Sequence, residues 1–72
     1  MKATAEIING KFEIVGLDFV KEEYGVKVYE MRYLHSFGGK TYKTLANAIK
    51  AIERKGFEYV DTFGIKLVAS WN

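Results

Sequence analysis

The chain of 72 residues has no cysteine, no proline and a single histidine, and no apolar run long enough to cross a membrane. Without cysteine it can form neither disulfides nor thiolate metal sites, so its core must come from aliphatic and aromatic side chains alone. No metal-ligand set and no cofactor motif is present. His35 with Ser36 lacks a third group to orient the base, and neighbours on a strand end point apart. Glu22 and Glu23, beside Tyr24, read as solvated turn charges rather than an acid and base pair. No catalytic residue is therefore assigned, and neither an enzyme nor a small-molecule substrate is expected. The lack of a signal-like or membrane-length segment leads to the expectation of a cytoplasmic protein that does not bind membrane. The missing proline acts the other way: strand edges are protected from pairing with another chain only by charge. A net charge of +2 is too small to imply nucleic acid by itself, so the distribution of charge matters more than its sum.

What is present is almost half apolar, with five Tyr, five Phe and one Trp. The spacing predicts one helix within Thr41 to Phe57, capped by Thr44, whose hydroxyl can accept from the N–H of Asn47. Leu45, Ala48, Ile49 and Ile52 repeat on one face, and Gly56 ends the helix so that Phe57 folds back onto Ile52. Everything around it reads as strand. Asn9-Gly10 is a type I′ turn signal that pairs Ile8 with Lys11, Ile7 with Phe12 and Ala5 with Ile14. Beyond Ile14 the apolar positions change parity to Leu17 and Phe19, which predicts a bulge at Gly16. Glu23-Tyr24-Gly25 reads as a three-residue loop that pairs Phe19 with Tyr29 and Leu17 with Met31. His35 to Lys40, with Gly38-Gly39, reads as a mobile connector. Phe57 to Asp61 and Ile65 to Trp71 read as a last hairpin around Thr62-Phe63-Gly64.

The expected fold is therefore a single α+β domain over residues 1–72, β-β-β-α-β-β, with an antiparallel-dominated sheet and one helix packed on one face. The expected strand order is 3-2-1 with the fifth strand beside the first. The expected core packs Leu45, Ala48, Ile49 and Ile52 on Ile7, Phe12, Ile14, Leu17, Tyr29, Met31, Tyr59 and Leu67.

Three constellations invite a functional reading, and two of them survive inspection. Gly39-Lys40-Thr41 matches the end of a phosphate-binding loop, but position 34 is leucine where that pattern needs glycine, and the chain is too short for the parallel sheet such a domain requires. The expected register sends most aromatics into the core and leaves an aliphatic, charge-rimmed open face around Val20, Val28, Glu30, Arg32, Val60 and Val68. Such a face suits a protein partner or a second copy of the chain. The alternative is a nucleic-acid contact through the basic helix face, Lys43, Lys50, Arg54 and Lys55, which would bind phosphates without reading sequence.

The run GGKTYKTLANAIKAI, in which an aromatic, Lys-Thr-Leu and a following Ala open the helix, resembles the strand-to-helix passage of small proteins encoded by phages and mobile elements. Anti-CRISPR inhibitors are among them. The resemblance implies an accessory or inhibitor protein that binds host or phage machinery, and it carries over no functional residue.

Overall fold

The computed structural model describes residues 1–69; Ser70 and Trp71, expected at the end of the last strand, lie outside the described residues. Six strands and one α-helix follow in order: β1 (Lys2–Ile8), β2 (Lys11–Glu23), β3 (Val26–Arg32), a 3-10 turn at His35–Phe37, β4 (Thr41–Tyr42), α1 (Leu45–Arg54), β5 (Glu58–Tyr59) and β6 (Ile65–Ala69). The class is α+β, and the sheet order is β5-β1-β2-β3-β6, with β4 paired to β2.

Local chemistry accounts for both hairpins. Asn9 and Gly10 take φ of 52° and 76°, as a type I′ turn requires, and Ile7 pairs with Phe12 and Ala5 with Ile14. The second turn has the same form, with Tyr24 and Gly25 at φ 52° and 76° and Glu23 paired to Val26. Its loop is therefore two residues long rather than three. The expected pairs Phe19 with Tyr29 and Leu17 with Met31 still occur, because the irregularity lies between Phe19 and Lys21 and shifts the register by one.

No bulge forms at Gly16, where the β1–β2 pairing runs unbroken through Ala3 opposite Gly16 and Lys2 opposite Leu17. The glycine answers a different need. A Cβ at Gly16 would lie 2.9 Å from Cδ2 of Leu34, so the missing side chain makes room for Leu34. With the alternation unbroken, Ile14 and Leu17 fall on opposite faces of the sheet.

Two apolar layers result where one was expected. On the helix side, Ala3, Ala5 and Ile14 pack with Leu34, Phe37, Ala48 and Ile52, ringed by Phe12, Tyr42, Ala51, Phe57 and Tyr59. The opposite face buries Val15, Leu17 and Tyr29 with Thr4. There Phe19 meets Tyr29 edge-on at 5.7 Å, and the Lys2 ammonium lies 6.0 Å from the Tyr29 ring centre. Of the expected core, Leu17, Tyr29, Met31 and Leu67 thus belong to the second face, since Leu17 pairs with Met31 and Tyr29 with Leu67, while Ile7 and Leu45 are exposed.

The last two strands do not form a hairpin. β5 pairs parallel to β1, Lys2 with Glu58 and Ala3 with Tyr59, whereas β6 pairs parallel to β3, from Lys27 with Ile65 to Met31 with Ala69. The sheet is mixed rather than antiparallel-dominated, and β6 lies at the far edge instead of beside β1. The physical reason is length: a strand of two residues offers too few ladder bonds to hold β6, whereas β3 offers five paired positions. Asp61 Oδ1 still accepts from Phe63 N at 3.0 Å and Gly64 is left-handed, so the turn signal is met without a hairpin following it.

The helix ends behave as their residues dictate. Thr44 Oγ1 accepts from Asn47 N at 3.2 Å; at the other end Gly56 N donates to Glu53 O and Phe57 N to Ile52 O, the pair of bonds of a Schellman cap.

The segment from His35 to Lys40 departs from expectation, because Phe37 is only 3% exposed and sits in the core. Gly38 N donates to His35 O, Lys40 N donates to Phe37 O at 2.8 Å, and Gly38 takes φ 52°. An ordered left-handed glycine is costly to replace. Thr44→Ala and Gly38→Ala are therefore both expected to destabilise, each by about 1 kcal/mol, in matched thermal melts. A Gly38→Ala variant that melts like the parent would mean that this loop is not held as described.

Candidate protein-binding cleft

The open-face residues do not assemble into one patch. Val28 is 5% exposed, set between Lys21 of β2 and Lys66 of β6 in the register, and presents almost no surface to a partner. Glu30 and Val68 are paired and half-buried, and Arg32 is tied to Asp18 at 2.7 Å. Val20 is exposed at the register shift between β2 and β3, whereas Val60 lies beside β1, donating its N–H to Ala3 O at 2.9 Å. The unbroken pairing at Gly16 places Asp18, Val28, Glu30, Arg32 and Val68 on the helix-side face instead of the open one.

The basic helix face is partly assembled. Lys50 and Arg54 join Lys40, Tyr42 and Asn47 around a groove of about 330 Å³, which Lys43 and Lys55 do not line. None of Lys40, Lys50 and Arg54 is in an ion pair among the described residues. Steps of four along α1 explain why Lys50 and Arg54 meet.

The feature that sequence reasoning missed lies at the edge of β1. β5 covers only Lys2 and Ala3, and the bonds to Met1 O and Ala3 O from Glu58 N and Val60 N mark the edge-facing positions. Backbone direction alternates along a strand, so Ala5 and Ile7 also turn their N–H and C=O away from β2, and no partner meets them there among the described residues. Beside this edge opens a cleft of about 570 Å³. Ile7, Ile8, Phe12, Leu45 and Leu67 form its apolar lining, with Ile7 65% exposed, and Glu6 and Asp61 supply the charge. Tyr59 also lines it; burial, helped by the Asp61 carboxylate, raises its phenol pKa. The adjacent pair Ile7-Ile8 was the available signal, because alternation forces one of the two out of the helix-side core.

Among the described residues no group of His, Cys, Asp or Glu is placed to hold a metal ion, and no helix is long and apolar enough to cross a membrane. Neither family models, nor characterised proteins, nor solved structures give a match to this chain.

Proposed function

We propose that the chain is a non-enzymatic binding module, an accessory or inhibitor protein of the kind its helix-opening run resembles, that acts by stoichiometric contact with a protein partner. The contact is made along the free edge of β1. One observation carries this reading: Ala5 and Ile7 present backbone with no partner among the described residues beside an apolar cleft whose rim includes the exposed Ile7. A bare strand edge with apolar neighbours is an aggregation liability, and a partner that covers it removes that liability. Main-chain bonds along such an edge give affinity while side-chain pockets give specificity.

The groove of Lys40, Lys50 and Arg54 favours a second reading, contact with nucleic-acid phosphates. Capture from lysate of the source organism, with and without nuclease, separates the two. Ile7→Asp changes a side chain already in solvent, so the melting temperature is expected to hold while the captured protein is lost. Lys50→Glu with Arg54→Glu is expected to retain it. Capture that survives Ile7→Asp but fails with nuclease or with the helix double variant would replace the protein-binding reading with the nucleic-acid one.

A further inference from the structure

The protein-binding reading leaves the chemistry of the partner open, and the cleft supplies it. We infer that the occupant is an extended segment of a partner protein, in which apolar residues alternate with lysine or arginine, added to the sheet as a further strand along β1. The inference rests on the protein-binding reading above and deepens it.

The backbone selects an extended chain. The edge groups of Ala5 and Ile7 are spaced for a strand, and the free stretch of β1 matches about four to five residues of one. The lining selects alternation: Ala5 and Ile7 face the helix side, Glu6 and Ile8 the other, and an added strand must satisfy both with successive side chains.

Charge selects a base. Glu6 stands directly opposite Glu13 in the β1–β2 register, an unfavourable like-charge pair, and Asp61 lines the same cleft as Glu6. Neither Glu6 nor Glu13 is in an ion pair among the described residues, although Lys2 and Lys11 share their face. No lysine or arginine lines the cleft. A cation carried in on the Glu6 side of an added strand supplies a countercharge that the cleft lining lacks.

A second copy of the chain fits worse. Antiparallel pairing that matches Ala5 to Ile7 of the other copy sets Glu6 against Glu6 and adds to the repulsion. Centring the pair on Ile7 instead sets Ala5 against Asn9, whose φ of 52° belongs to the turn and not to a strand.

The test selects a displayed library of random octapeptides on the intact protein and titrates the synthetic winners into 15N-labelled protein. The expected winners alternate apolar and basic residues, shift Ala5–Ile8 and 59–62, and protect the Ala5 and Ile7 amides from exchange. Glu6→Lys is expected to weaken basic winners by about tenfold or more and to strengthen their glutamate-substituted counterparts. Because the substitution also relieves the Glu6–Glu13 contact, its melting temperature serves as the control for folding. Winners that bind this cleft without basic residues, or that ignore Glu6→Lys, overturn the basic-strand inference and leave protein binding standing. A concentration-dependent dimer with the same two amides protected overturns it in favour of a second copy. No winners at all, or shifts confined to Lys40, Lys50 and Arg54, overturn both readings.

Discussion

Phe37→Ala is expected to remove a large part of the protein's stability, although the residue sits in a connector between β3 and β4. The ring is 3% exposed, lies 5.8 Å from the Phe57 ring, and belongs to the cluster of Ala3, Ile14 and Ile52. Truncating a buried phenylalanine costs about 3–5 kcal/mol. A 72-residue chain has only roughly 4–11 kcal/mol of stability in total, at about 0.05–0.15 kcal/mol per residue. The loss is therefore a large fraction of the whole. Phe37→Leu, which keeps most of the volume, is expected to fold with a lower melting temperature. Chemical denaturation of both variants checks this, and a Phe37→Ala midpoint close to the parent's would show that the turn does not anchor the core.

Ile52→Ala is the second large effect, expected at about 2–5 kcal/mol, with Ile52→Val at about 0.5–1.5 kcal/mol. Ile52 has no exposed surface and lies where α1 faces Ala3, Ala5 and Ile14. Its carbonyl also accepts from Phe57 N, so the same residue anchors the helix and directs the chain towards β5. Loosening that turn removes the cover from Lys2 and Ala3, which among the described residues are the paired part of the outer edge of β1. Hydrogen exchange is therefore expected to show Val60 losing protection in Ile52→Val before the β2–β3 ladder does. Uniform loss across both would mean that β5 is not a separately anchored piece.

The two surfaces differ in how much the residues alone disclosed. Lys50 and Arg54 meet because their spacing is a property of the helix, so that groove was legible apart from Lys40 and Tyr42, which the chain brings in from before α1. The β1 cleft was not. It depends on where β5 stops, on Leu67 arriving from β6, and on Leu45 remaining exposed at the start of the helix.

The division follows range. Asn9-Gly10 determined its turn and hence the pairing of Ile7 with Phe12, and Thr44, Gly56 and the Leu45–Ile52 repeat determined the helix and both its ends, because each signal and its partner lie within a few residues. The faces of β2 beyond Ile14 needed tertiary structure: Gly16 offers the same local freedom to a bulge as to a neighbour, and only Leu34, 18 positions away, shows which use is made of it. The last strands needed it most. Two residues at Glu58–Tyr59 have too few ladder bonds to prefer a hairpin, so the path of the chain past the helix placed β5 on β1 and β6 on β3, and with that choice the edge at Ala5 and Ile7 was left without a partner among the described residues.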